Sequence, residues 1–214
     1  MSHSLQRVRA IPFFVALAVA AATGAAAQST PAPAAGTTAG QSYYTAADVA
    51  FMTGMISHHA QAVLIAGWAP SHGASASIRA LCERIVVGQQ DEIALMKRWL
   101  RDRREPVPDG EASHDMMPGM DHAMMPMMPG MLTAEQLVQL DQTRGPEFDR
   151  MFLTFMIQHH QGAIVMVDQL FGSKGAGEEE RVFRFASDVY ADQTTEIARM
   201  QLMLRARGGP ASPR

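Results

Sequence analysis

The sequence predicts an all-α protein, an antiparallel four-helix bundle built from two duplicated helix pairs. Three observations support this prediction. No segment alternates apolar and polar residues with the period of a strand, apolar residues recur at helical spacing over four long segments, and a helix-pair motif occurs twice. A short extra helix and a methionine-rich loop complete the predicted architecture.

The N-terminal residues 1–27 have the pattern of a signal peptide. A basic start containing Arg7 and Arg9 precedes an apolar run, and three alanines that end at Ala27 form a small-residue cleavage pattern. The apolar run is shorter than the ~20 residues of a membrane span. We therefore expect cleavage after Ala27 and secretion into the periplasm without membrane attachment, and an uncleaved N-terminal anchor is the alternative.

The first helix pair follows a linker. Residues 28–44 have the Pro, Ala, Gly and Thr composition of a flexible linker, and the predicted bundle domain occupies residues 45–207. Thr45 is placed to cap a first helix, whose apolar pattern runs over residues 49–69 and stops before a proline. A second helix is predicted over residues 77–103, where apolar residues again recur at helical spacing.

The second half of the domain begins with a short helix over residues 133–142, which opens with a capping-box pattern. A long helix over residues 145–171 starts at a Gly-Pro pair, because proline is favoured in the first helical turn. After a loop at 172–177, a last helix is predicted over 178–207, with acids at its start and arginines at its end. Residues 208–214 are a tail.

Two sequence motifs are each present twice. Asp-x-x-Phe-x-x-x-Met-Ile-x-His-His occupies residues 48–59 and recurs at 149–160, an offset of 101. Gln-x-x-Glu-Ile-x-x-Met-x-x-x-Leu occupies residues 89–100 and recurs at 193–204, an offset of 104. Each half is therefore a helix pair, and the two pairs are expected to be related by a pseudo-twofold axis.

The first motif contains ligands that soft metal ions prefer. Its methionine lies three and four residues before the two histidines, so each histidine can share a helical face with it. Thioether with imidazole favours Cu(I), with Ag(I) as a mimic, whereas carboxylate with imidazole favours Cu(II) or Zn(II). Ordinary core packing is the alternative for the methionines. The candidate metal ligands are Met55, His58, His59, Met156, His159 and His160.

Carboxylates in both motifs are candidates for orienting the imidazoles by accepting their N–H groups. The aspartate that opens the first motif shares a helical stripe with the methionine, and the glutamate of the second motif lies on the partner helix. For the glutamates, a surface charge beside a basic residue is an equal alternative. The candidates are Asp48, Asp149, Glu92 and Glu196.

The loop between the two halves, residues 105–131, is a second candidate metal site. Its prolines forbid a continuous helix, so its methionines cannot form a core stripe. Thioethers on a flexible loop can converge on Cu(I) or Ag(I), and an adaptable contact surface for a partner protein is the alternative. The candidate ligands are His114, Met116, Met117, Met120, His122, Met124, Met125, Met127, Met128 and Met131.

The two candidate sites are expected to respond differently to acid. Imidazole must be neutral to coordinate a metal and has an ordinary pKa of about 6.5, whereas a thioether carries no proton. The bundle histidines should therefore release metal as the pH falls through that range, and the loop should retain it. We also expect the loop to contribute no core residues, so that deletion of residues 116–131 preserves the fold.

The doubled motifs resemble the domain of unknown function 305 family, over about residues 47–205. This resemblance implies a ferritin-like four-helix bundle, usually exported, with some members that bind copper or silver in metal tolerance. The family's metal-binding candidates match the methionine and the two histidines of the first motif in each half. The internal repeat is imperfect, because Met166 aligns with Ile65 and Gln161 with Ala60, so two equivalent metal sites are not implied.

Several other function classes lack support in the sequence. The net charge of −3 gives no electrostatic footprint for nucleic acid. The single cysteine, Cys82, excludes an intramolecular disulfide and is expected to be a small buried residue. A di-iron oxidase would need Glu-x-x-His on two bundle helices, and the match at Glu111 and His114 lies in the loop.

Together these features predict an exported, soluble metal-binding protein. We expect it to sequester Cu(I), or Ag(I) as a mimic, or to hand the ion to another exported copper-handling protein in metal tolerance, without covalent chemistry. Two alternatives stay open: a metal-dependent oxidase within the bundle, and a partner-binding module that uses the methionine-rich loop.

Overall fold

The computed structural model describes residues 43–108 and 127–208, which form five α-helices and no strand. This confirms the all-α prediction, and each helix boundary lies within about two residues of the predicted one. The signal peptide, nearly all of the linker, most of the methionine-rich loop and the end of the tail lie outside the described residues. The helices are α1 (Ala46–Gly67), α2 (Ala76–Asp102), α3 (Ala134–Gln142), α4 (Gly145–Gly172) and α5 (Glu180–Arg205).

Side-chain caps define the first turns of α1 and α3, as the sequence predicts. The Thr45 hydroxyl oxygen accepts from the Asp48 backbone N–H at 3.2 Å, and the Asp48 carboxylate accepts from the Thr45 backbone N–H at 2.7 Å. Thr133 and Gln136 make the same reciprocal pair at the start of α3, at 3.2 and 2.9 Å. Such boxes satisfy backbone donors that the first helical turn leaves without partners.

The helices pack as two hairpins joined through α1 and α4. α1 packs along α2, α4 packs along α5, and α1 also contacts α4. The Tyr44 hydroxyl before α1 donates to Glu105 after α2 at 2.9 Å, so these two helices are antiparallel. The backbone N–H of Gly145, at the start of α4, donates to the carbonyl of His72, just beyond the end of α1, at 2.8 Å. α1 and α4 therefore also run in opposite directions.

Each hairpin holds the loop of the other through a buried aspartate. Asp48 accepts a hydrogen bond from the Gly177 backbone N–H at 2.7 Å, in the loop between α4 and α5. The repeat partner Asp149 accepts from the Ser75 backbone N–H at 3.1 Å, in the loop between α1 and α2. This corrects the expectation that the two aspartates orient imidazoles, because backbone N–H groups occupy both oxygens of Asp48, and the Ser75 N–H and the Arg207 guanidinium occupy those of Asp149. Asp48 also lies ten residues, about 15 Å of helix, from His58.

α1 is the most apolar helix of the described chain and is long enough to cross a membrane by length and composition. Most of its apolar stretch is buried within the bundle against α2 and α4, as is typical of a core helix. Cys82 of α2 is also buried, in a cluster with Leu81 and Ile85. Burial raises the pKa of its thiol to about 12, so the thiol stays protonated and inert.

Candidate metal centre

The two helices that carry the first motif bring His58 and His159 into contact. Their ring centroids are 3.8 Å apart, the ring planes are inclined by 39°, and both side chains are buried. The two residues correspond in the internal repeat, and α1 and α4 are antiparallel. The contact therefore lies on the pseudo-twofold axis of the bundle.

Both central histidines are held in the neutral form. Burial, together with the neighbouring His59, lowers the pKa of His58 to about 3. Burial also lowers the pKa of His159 well below its ordinary value, and the proximity of His58 acts in the same direction. Neutral imidazole is the form that binds metals. The acid release expected near pH 6.5 therefore moves to a lower pH for these two residues.

The hydrogen bonds of the central pair leave lone pairs free for a ligand. His58 Nε2 lies 3.0 Å from the carbonyl oxygen of Pro129. Because a carbonyl only accepts, Nε2 carries the proton, and the lone pair of the neutral ring is on Nδ1. Within the described part of the chain, His58 Nδ1 and both ring nitrogens of His159 have no hydrogen-bond partner. Buried polar atoms without partners are rare and costly, and bound metal ions are one explanation for them.

The second histidine of each motif copy, His59 or His160, faces a glutamate of the adjacent helix. His59 Nε2 lies 2.8 Å from Glu92 Oε2, without the alignment of a hydrogen bond. His160 Nε2 and Glu196 Oε2 form a short hydrogen bond of 2.6 Å. Both glutamates are therefore close enough to orient the imidazoles. Each glutamate side chain remains about a quarter exposed to solvent.

Two buried glutamines, which were not among the predicted site residues, lie near the glutamates. Gln89 and Gln193 line a cavity of about 150 Å³ between α2 and α5, together with Glu92 and Glu196. The amide nitrogen and oxygen of Gln89 and the amide oxygen of Gln193 have no hydrogen-bond partner among the described residues. Their signal in the sequence is that the glutamine opens the second motif in both halves.

The methionines of the first motif lie in the apolar core. Met55 is fully buried in a cluster with Met52 and Ile56, and Met156 is fully buried in a cluster with Phe152. Each methionine lies one helical turn before the two adjacent histidines of its motif. This placement agrees with core packing and also keeps a thioether beside each pair.

The end of the methionine-rich loop is packed onto the bundle. We call residues 127–132 the strap. Both amide atoms of Gln61 bind the backbone of Leu132, at 3.1 and 2.8 Å, and Met128 packs against the core cluster of Met55. The expectation that the loop contributes nothing to the core is therefore wrong at Met128, and the buried Leu132 follows directly after the end of the loop.

The structure separates the loop candidates into two sets. Met127 is 54% exposed, Met128 is packed inward, and Met131 is half-buried. The remaining loop candidates lie outside the described residues: His114, Met116, Met117, Met120, His122, Met124 and Met125.

Over residues 43–108 and 127–208, no three His, Cys, Asp or Glu side chains are arranged as a ready metal cluster. Among these residues the candidate donors occur only in pairs: His58 with His159, His59 with Glu92, and His160 with Glu196. A site built on the central pair would therefore need donors of another kind. Thioethers are the donors that this chain supplies in excess, with 17 methionines in total.

Solved structures with this fold include metal-bound proteins. A DUF305 protein from Streptomyces coelicolor, designated as secreted, is 25% identical, with a TM-score of 0.62, over 78% of this chain and 98% of that one. CopM in its Cu(II)-bound form is 27% identical, with a TM-score of 0.58, over 74% of this chain and 96% of CopM. The Cu(I)-bound form is 25% identical, with a TM-score of 0.55, over 77% and 98%. CopM has also been solved with silver.

No protein with a curated function matches the sequence. The sequence profile of the domain of unknown function DUF305 matches residues 48–204. That range contains both copies of each motif and all five helices apart from their outermost residues. The chain therefore belongs to the DUF305 family.

Proposed function

We propose that this protein captures Cu(I), with Ag(I) as a chemical mimic, and holds it for sequestration or transfer in copper tolerance. The observation that carries the proposal is the buried, neutral pair of His58 and His159, which has lone pairs without partners and lies on helices that also bury methionines. CopM, a structural relative, has been solved with Cu(II), Cu(I) and Ag. No covalent reaction is part of this proposal.

The charge of the ion follows from the surroundings of the central pair. Moving an ion from water into an apolar core costs an energy that grows with the square of its charge, so a monovalent ion meets about a quarter of the cost of a divalent one. The central imidazoles are neutral, and thioethers carry no charge. Neutral soft donors in a dry site therefore favour Cu(I) over Cu(II) or Zn(II).

The other candidate residues have distinct roles in this proposal. Met55 and Met156 supply thioethers beside the central pair, while Glu92 and Glu196 orient His59 and His160. The ten loop candidates collect the ion and deliver it to the bundle. The predicted signal peptide supports export of the chain, and in this proposal the protein acts in the periplasm and passes the ion to another exported copper-handling protein.

An anaerobic titration of the mature chain with Cu(I), against a coloured Cu(I) chelator, tests the proposal. We expect the chain to take at least one Cu(I) from the chelator and to show no Cu(II) electron paramagnetic resonance signal. A Cys82→Ser variant is the control, and it should bind equally well because the thiol stays protonated. A chain that takes neither Cu(I) nor Ag(I) would overturn the proposal, and oxygen consumption by the copper-loaded chain would favour an oxidase.

A further inference from the structure

Two thioethers from different parts of the chain meet over Gly54 of α1. The sulfur of Met128, on the strap, lies 3.3 Å from the point where a Cβ atom of residue 54 would stand. The terminal methyl carbon of Met166, on α4, lies 3.3 Å from the same point. The missing side chain at Gly54 therefore leaves room for both thioether side chains, which approach the same point from different parts of the chain.

The internal repeat is broken at two residues that form the space over Gly54. Gly54 corresponds to Phe155 in the second half, and Met166 corresponds to Ile65 in the first half. Phe155 packs against the apolar cluster that contains Ile65, and neither residue carries sulfur. The pair of thioethers therefore has no counterpart on the other side of the pseudo-twofold axis.

The residues that fix the strap break the repeat in the same way. Gln61, which binds the backbone of Leu132, corresponds to Gly162 on α4. A Cβ atom on Gly162 would lie only 1.9 Å from the carbonyl oxygen of Pro129, so a glycine is needed where the strap crosses α4. The first half therefore binds the strap through Gln61, and the second half leaves space for it at Gly162. Together these two contacts set the position of Met128.

His58 links the position over Gly54 to the central histidine pair. His58 follows Gly54 by four residues and so shares its helical face. His58 Nε2 contacts the carbonyl of Pro129, the residue that follows Met128 on the strap. An ion held by the two sulfurs would thus be adjacent to the central histidine pair.

We propose that Met128 and Met166 form a binding site for one soft monovalent cation, Cu(I) or Ag(I), beside His58. The strap supplies one sulfur and the bundle supplies the other, so the site connects the methionine-rich loop with the buried histidines. This inference rests on the proposed function, and it adds Met166 as a ligand and a stoichiometry of one such site per chain. The test must distinguish this metal site from two methionines that only pack against the core.

The test uses the mature chain and Ag(I), titrated against a competing ligand. Met128→Leu and Met166→Leu remove one sulfur each and preserve the volume of the side chain. Met96→Leu is the matched control, because Met96 is a buried methionine of the same core cluster. We expect each of the first two variants to bind one equivalent of Ag(I) at least about tenfold more weakly, and the control to bind like the wild type.

A double variant distinguishes one shared site from two separate ones. If both sulfurs hold the same ion, Met128→Leu with Met166→Leu weakens binding much less than the product of the single effects. Fully multiplicative effects, or single variants that bind like the wild type, would overturn the inference while the proposed function stands. A wild-type chain that takes up no Ag(I) would overturn both. Urea midpoints close to that of the wild type would show that the variants remain folded.

Discussion

Acidifying the metal-free protein from pH 6.5 to 4.5 should lower its free energy of unfolding by at least about 2 kcal/mol through His58, and His159 acts in the same direction. In the unfolded chain His58 and His159 bind protons at about pH 6.5, whereas in the folded chain burial keeps them neutral. The unfolded state therefore binds more protons below pH 6.5, and stability falls by about 1.4 kcal/mol per pH unit for each histidine. For His58 this loss continues until the pH approaches its folded-state pKa of about 3.

Urea unfolding at a series of pH values measures this effect. A His159→Leu variant provides the comparison, because it removes one of the two buried titrating groups and leaves no partner unsatisfied among the described residues. Its stability should fall less steeply with decreasing pH than that of the wild type. A wild-type protein with equal stability at pH 7 and pH 5 would show that the central histidines are not held neutral.

Replacing Gly162 with alanine should destabilise the fold by about 3 kcal/mol. The new methyl group would lie 1.9 Å from the carbonyl oxygen of Pro129 and 2.6 Å from the Cα atom of Gly130. These are backbone atoms, which cannot rotate away as the end of a side chain can, so the strap must leave the helix. His58 would then lose its contact with Pro129, and Gln61 would lose both hydrogen bonds to Leu132.

The same substitution at Gly88 is a matched control. Gly88 is also inside a long helix, and no atom of the described residues outside its own neighbourhood in α2 lies within 4 Å of the point where its Cβ would stand. Alanine is a better helix former than glycine, so Gly88→Ala should stabilise the protein by roughly 0.5–1 kcal/mol. Urea unfolding of the two variants should give changes of opposite sign. Equal effects would mean that the strap does not lie on α4.

The fold and the equivalence of His58 with His159 could be predicted because they follow from periodicity and repetition. The offset of 101 makes His58 and His159 equivalent, and two equivalent residues on crossing antiparallel helices meet at the axis. The spacing alone did not show that they touch, because that depends on the register of α1 against α4. The comparison with ferritin-like bundles stays a prediction.

Asp48 and Asp149 were predicted incorrectly for a physical reason. They share the helical stripe of the metal-ligand candidates, but they lie near the starts of their helices, where the loop of the other hairpin offers a backbone N–H that needs an acceptor. The strap was missed because glycines at 54 and 162 carry no pattern of their own. The breaks in the repeat at Met166 and Gln61 were the available signal, since a duplicated chain should differ where only one half binds a shared segment.

The central claim is that the bundle itself holds Cu(I), and a metal count on a loop variant tests it most directly. The variant replaces the seven loop candidates between residues 114 and 125 with serine and keeps the strap, which packs on the bundle: His114, Met116, Met117, Met120, His122, Met124 and Met125. Loaded anaerobically and freed of excess ion, it should retain at least one Cu(I) per chain. A variant that retains none would show that the buried histidines are structural and that the loop alone binds copper.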